Sequence, residues 1–444
     1  MKSCLLPLLF VALGWATDSL AVEQEASAAP PQSLPEPPAE NPNDSVGYTP
    51  DVETAREPLS FHGYIDVGFA KAQGNGSSFR AGDTRIPADY GVDPFAPAVN
   101  SRGDVASLDA GGRFVNGFLP YSMNIGNKAS FFINTVDFDL LYTPPGTPLL
   151  FFARTQVLPR FLDGSKTRVV VEQAFGRVIP FSSQEFAISL GKFDSVFGIE
   201  YLENQANLRI GITPSLIARY TTGQSIGVKV FYRIQIPEWL SAFSLNTALT
   251  NSGNWVESLQ TPDISLTGVP NLSARLGYEL NLLNFQVKLG GSALYGPRND
   301  QRSSSAHQRA FGADGRLIVG WFSLSAEYIN LREDAGVAPG KFNGTGVYPL
   351  ASGFKVDGFY SQGAVAVPTG LTSLQTATGY FRYDRRHGEF EGYGPILTSR
   401  YTLGVRLDFW LVLALKAEYL FNRENAGAPT VPNDVFTSSV VYTW

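Results

Sequence analysis

An all-β, transmembrane, antiparallel up-and-down barrel of about 16 strands, within a range of about 14 to 18, is the fold this sequence predicts. Three observations predict it. From about residue 59 onward, segments of roughly ten residues alternate apolar and polar side chains with period two, the length a tilted strand needs to cross a bilayer. Long and short connections alternate along the chain, as a barrel with both termini on one side requires. The chain closes on such a segment, Val435 to Trp444, with an aromatic last residue.

Composition agrees with this class. Aromatic residues make up 13%, with 31 Phe and 19 Tyr, and the 44 Gly supply turns. Mean hydropathy is −0.04, and beyond the N-terminus no apolar run of about 18 residues could span a bilayer as a helix. A formal net charge of −6 and the lack of a basic cluster argue against a nucleic-acid partner. The single cysteine, Cys4, falls in a segment expected to be cleaved, so no disulfide, cofactor or Cys-ligated metal is anticipated.

Residues 1–21 read as a signal peptide. Met1 and Lys2 give a positive start, Leu5 to Trp15 an apolar stretch, and Ser19-Leu20-Ala21 small residues for cleavage. Residues 22–58, with Pro30, Pro31, Pro35, Pro37, Pro38 and Pro42 and little to bury, read as a disordered periplasmic tether. The barrel is expected over 59–444, located in the cell outer membrane.

In its first strand Phe61, Gly63, Ile65, Val67 and Phe69 share one face, and His62, Tyr64, Asp66 and Gly68 the other. Near the end Tyr401, Leu403, Val405, Leu407 and Phe409 oppose Arg400, Thr402, Gly404, Arg406 and Asp408. Leu411, Leu413, Leu415, Ala417, Tyr419 and Phe421 then oppose Lys416 and Glu418. One face suits lipid and the other water. Tyr142, Tyr232, Tyr295, Tyr328, Tyr360, Tyr419 and Trp444 are placed in interfacial girdles. Outer loops are expected at 74–128, 159–166, 193–223, 251–270, 297–309, 332–352, 385–396 and 422–434. Short links are expected at 144–148, 179–183, 236–241, 281–284, 320–321 and 409–410, with a longer one at 365–373. The terminal strand, ending in Tyr442 and Trp444, resembles the signal read by the barrel assembly machinery of bacterial outer membranes.

The stretch Leu190-Gly191-Lys192-Phe193-Asp194-Ser195-Val196-Phe197-Gly198-Ile199-Glu200, followed by Asn207, Arg209, Pro214, Tyr220, Thr222 and Gly223, resembles a motif of β-barrel porins distantly similar to phosphate-selective porins. Asp137-Phe138-Asp139 and Glu172-Gln173-Ala174-Phe175 resemble that family's early strands. The resemblance implies an outer-membrane porin passing small polar solutes or ions by passive diffusion, comparable porins being homotrimers in contact with outer-membrane lipid. Gly191, Phe193, Phe197, Gly198 and Glu200 carry the motif. Gly198 and Glu200 read as structural support rather than solute ligands, and inward folding of 193–223 as a constriction loop stays open. No ladder of closely spaced Lys or Arg argues for phosphate specificity.

Alternation places Arg154, Lys229, Arg233, Arg275, Lys288, Arg316, Arg400, Arg406 and Lys416 on the inside, with Asp66, Asp137, Asp139, Glu172, Glu279, Asp314, Glu327, Asp408 and Glu418. Such a wall forms cross-strand ion pairs, or a transverse field with acids on one side and bases on another. Arg102-Gly103-Asp104 spells an adhesion tripeptide that turn geometry explains equally well. Asp83, Asp89, Asp93, Asp104 and Asp109 lack EF-hand spacing. Only His62, His307 and His387 are available as histidine bases, in no recognisable catalytic neighbourhood. No enzyme is expected; a plugged surface barrel acting as an adhesin or structural protein, or less favourably an outer-membrane hydrolase, is the alternative.

Overall fold

The computed structural model describes residues 58–72, 130–158, 168–181, 185–194, 196–203, 205–221, 224–251, 268–297, 306–334, 354–390, 393–426 and 434–444. Expectations for residues 1–57 and for the 74–128 loop, with its Arg-Gly-Asp tripeptide and acidic set, lie outside these residues.

Sixteen strands close on themselves. In chain order they are β1 (Leu59–Ala72), β2 (Ser130–Tyr142), β3 (Leu149–Leu158), β4 (Arg168–Val178), β5 (Phe186–Asp194), β6 (Gln224–Ile236), β7 (Ser241–Thr250), β8 (Asn271–Leu282), β9 (Phe285–Pro297), β10 (His307–Val319), β11 (Phe322–Glu333), β12 (Phe354–Pro368), β13 (Leu374–Phe390), β14 (Tyr393–Phe409), β15 (Leu413–Ala426) and β16 (Val435–Thr443). Each pairs antiparallel with its neighbours in sequence, and β16 pairs with β1 to complete the ring. Closure leaves no strand edge unpaired, the condition for crossing lipid with strands.

Burial alternates as the period-two reading requires. Phe61, Val67, Tyr401, Leu403 and Val405 are exposed on the outer surface, while Tyr64, Asp66, Arg400 and Thr402 are buried inside. A charged interior and an apolar exterior invert a soluble sandwich, and the inversion identifies a membrane wall. The chain terminus seals the seam: Trp444 N donates to Gly63 O at 3.1 Å and Gly63 N to Trp444 O at 3.3 Å. A Cβ on Gly63 would collide with the Trp444 indole and with the Asp137 carbonyl.

Several boundaries differ from expectation. The connection expected at 385–396 shrinks to two residues, because β13 and β14 run to Phe390 and from Tyr393. Alternation continues there with charges on the outer face, joined across strands by Lys355–Glu389 (3.1 Å) and His387–Asp357 (2.9 Å); polarity marks a change of surrounding, not the end of a strand. Similarly, β15 persists to Ala426 and β5 to Asp194. The long inner link contracts to 369–373, where the Thr369 hydroxyl donates to Leu374 O and accepts from Leu371 N.

Tyr142, Tyr232, Tyr295, Tyr328, Tyr419 and Trp444 are exposed on the outer surface. Tyr360 is not, at 7% exposure: it stands opposite Glu327 in register and points into the barrel. Phe181, Trp239, Trp321 and Trp410, all exposed at the short-turn end, complete a girdle there.

Candidate functional site

The connection between β5 and β6 turns into the barrel and crosses to the opposite wall. It contains a 3-10 turn, Glu200–Glu203, and a single helical turn, α1, Ala218–Thr221. Wall carboxylates accept its backbone amides in succession. Glu327 on β11 accepts from Ile199 N (3.1 Å) and Glu200 N (2.9 Å). Glu418 on β15 accepts from Ile212 N (2.6 Å) and Thr213 N (3.0 Å), and Asp384 on β13 from Leu216 N (3.2 Å).

Wall cations take the loop carbonyls. Arg382 donates to Thr213 O (2.8 Å) and Pro214 O (3.0 Å), and Arg400 also reaches Pro214 O. Arg406 donates to Arg209 O (2.9 Å), and Lys416 to Gly211 O (3.1 Å), Ala206 O and Arg209 O. Arg316 pairs with Glu203, and the Gln205 side-chain amide lies against the Arg154 guanidinium on β3. The loop therefore bonds walls on both sides of the lumen. Bonds with one ionised partner contribute more than neutral ones, roughly 1.5–3 kcal/mol each.

The motif residues build the root of this loop. Gly191 has φ +135° and Gly198 φ +72°; a side chain at Gly191 would strike the Ala174 carbonyl and one at Gly198 the Glu327 carboxylate. Phe193 and Phe197 are buried, with Lys229 Nζ 5.0 Å above the Phe193 ring and Phe197 against Gly312. Glu200 accepts from Ser215 N (2.6 Å) and the Ser215 hydroxyl, clipping the two ends of the loop together. Burial raises the Glu200 carboxyl above its ordinary range, while Arg382 and the Ser215 donors pull it down.

Every basic and acidic residue assigned inward by alternation lies on the inner face. Arg154 makes two 2.7 Å bonds to Asp139, and Arg233 meets Glu279 at 3.0 Å, with Lys288 3.7 Å from the same carboxylate. Arg275 and Asp314 bond at 2.7 and 3.1 Å although β8 and β10 are not adjacent; Gly290 between them leaves the space. Asp66 accepts from Ser439, Asp137 from Thr135, and Arg406 pairs with Asp408 at 2.8 Å. Glu172 is buried near Asp137 and Arg154. Part of the inward charge is thus held in ion pairs, and part of it bonds the loop backbone.

Arg177, Arg382, Asp384 and Arg386 are also buried inside and escaped the sequence reading. Arg382, Asp384 and Arg386 continue the alternation from Tyr380; the loop boundary placed at Arg385 cut this run and put Arg386 outside the strand. His62 lies on β1, while His307 and His387 lie on outer faces, stacked on Tyr295 and bonded to Asp357 respectively. Among the described residues no group of His, Cys, Asp and Glu could hold a metal ion.

No family model matches the chain, and no curated protein does. Solved structures show similarity over most of the chain. The trimer form of OmpT from Vibrio cholerae is 13% identical, covering 87% of this chain and 99% of its own, with a TM-score of 0.48. Salmonella typhi OmpF in complex with daunomycin is 12% identical over 87% and 97%, with a TM-score of 0.47. An anion-selective porin from Comamonas acidovorans is 9% identical over 87% and 99%, also at 0.47. Similarity to phosphate-selective porins finds no support in these comparisons.

Proposed function

We propose that the protein is an outer-membrane porin through which small polar solutes and ions diffuse passively. The observation that carries the reading is a closed ring of sixteen strands, apolar outside and charged inside, with a loop fixed across its interior. A ring of this size encloses more space than wall side chains fill, and a loop bound to opposite walls narrows it.

Within this reading the pore-lining set is Arg154, Lys229, Arg233, Arg275, Lys288, Arg316, Arg400, Arg406 and Lys416 with their acidic partners. Those that retain contact with water set ion preference. Arg316 and Glu203 keep 26% and 24% of their side-chain surface, Arg406 and Asp408 18% and 26%, Arg233 14% and Lys288 11%. Except for Glu203, all stand near the short-turn ends of their strands. No catalytic role is included. Export by a signal peptide, recognition of Tyr442 and Trp444 by the assembly machinery, and association as a homotrimer belong to the same proposal.

The test is conductance of the refolded mature chain in a planar bilayer, with folding verified by heat-modifiable gel mobility. Stable unitary steps whose reversal potential responds to a salt gradient are expected. A folded barrel that passes no current would overturn the proposal in favour of a plugged surface barrel.

A further inference from the structure

The outer surface carries a feature that a lipid-facing wall does not require. Arg309 on β10, Arg332 on β11 and Lys355 on β12 are direct register partners, Arg309 with Arg332 and Arg332 with Lys355. All three are exposed on the outer face. Neighbouring strands lie about 4.8 Å apart, so three cations occupy one row roughly 10 Å long. Like charges directly opposite one another destabilise a sheet. Lys355 bonds Glu389, the next member of the row, at 3.1 Å. Among the described residues Arg309 and Arg332 form no ion pair, and the other acids on this face are engaged by histidines, Asp334 accepting from His307 N at 3.1 Å and Asp357 bonding His387.

The row stands at a definite height. From Trp321, in the short turn, to Arg332 the strand climbs eleven residues, about 37 Å along its axis and roughly 28 Å vertically at the usual tilt. An apolar band about 25 Å tall therefore ends just beneath it. Tyr328, Phe311 and Tyr295 lie on the same outer surface as exposed aromatics, marking the interface. Strands β12, β13 and β14, of 15, 17 and 17 residues, are the tallest of the wall and carry this face into the headgroup layer.

We propose that Arg309, Arg332 and Lys355 form a docking site for the phosphate groups of a phosphorylated glycolipid in the outer leaflet. Planar guanidinium groups suit bidentate phosphate contact, the aromatic rim accepts the acyl chains below, and the anion relieves the repulsion within the row. This rests on the outer-membrane placement but not on an open channel.

The experiment is native mass spectrometry of the folded barrel with purified bisphosphorylated lipid A and with its enzymatically dephosphorylated form. The wild type and an Arg309→Gln, Arg332→Gln, Lys355→Gln variant are compared, both verified as heat-modifiable. The wild type should prefer the phosphorylated lipid, and the triple variant should lose about a hundredfold of that affinity, at about fivefold per charge. It should also show no further loss with the dephosphorylated lipid. Equal binding of the two lipids by the wild type, or an unchanged affinity in the variant, overturns the proposal. So does competition by inorganic phosphate at the lipid's own concentration, which would indicate a free-anion site. Conductance measured in phosphatidylcholine should be the same for both proteins, separating this result from the fate of the porin reading.

Discussion

Replacing Gly198 by alanine tests how the inner loop is held. Gly198 has φ +72°, which costs an alanine roughly 1 kcal/mol, and its new methyl would collide with the Glu327 carboxylate. That carboxylate accepts Ile199 N and Glu200 N, and moving it aside forfeits two charge-assisted bonds of at least about 1.5 kcal/mol each. The sum, about 4 kcal/mol, corresponds to a thousandfold rise in local opening. Hydrogen exchange resolved at Ile199 and Glu200 should accelerate toward that limit, while strand amides in β10 and β11 keep their protection. A control at Gly146, φ +70° with open space around it, carries the strain without the collision and should lose only about 1 kcal/mol. Wild-type protection at Ile199 and Glu200 in Gly198→Ala would refute the assignment of Glu327 as the anchor.

Three further outcomes follow from the wall. Asp314→Asn leaves Arg275 buried without its carboxylate and should destabilise the barrel by about 3–5 kcal/mol, read as a lower urea midpoint of unfolding in lipid; an unchanged midpoint would show that Arg275 finds water. Lys288→Glu places a second acid beside Glu279, 3.7 Å away in the present pair, and should move the reversal potential toward cations, whereas an unmoved potential would remove this pair from the conducting path. Removing the Trp444 side chain uncovers Gly63 and breaks the ring contacts with Phe138 (5.8 Å) and Tyr442 (6.3 Å); the folded fraction after refolding should fall, and full recovery would confine the residue's role to recognition during assembly.

The barrel was legible because lipid and water impose opposite demands on successive residues. Phe61 and Tyr64, or Leu403 and Arg400, could each be assigned a side without knowing any partner. The reading failed where surrounding and chain direction separate. At Arg385, His387 and Glu389 the strand continues above the apolar band, so its outer face becomes charged and resembles a loop. Tyr360 failed for the opposite reason: an aromatic near a strand end suggests a girdle, but its register with Glu327 turns it inward.

The site was less legible because its bonds join residues far apart in sequence. Glu327 and Glu418 could be placed inside, yet no local pattern says that their partners are the amides of Ile199 and Ile212 rather than a neighbouring Arg. The same holds for Arg382, Arg400, Arg406 and Lys416, whose charges meet loop carbonyls. This changes how the near balance of inward acids and bases is to be used. Charges that hold the loop backbone have fixed partners and act first on its position. In the proposed pore, ion preference is then expected to fall to the groups still touching water, the Arg233–Glu279–Lys288 group on the wall and, where the wall meets the loop, Arg316–Glu203 and Arg406–Asp408. In that proposed pore a solute passing the loop meets these few groups, so exchanging one of them, as in Lys288→Glu, is expected to shift ion preference more than the same change in total charge made at a residue fixed to the loop backbone.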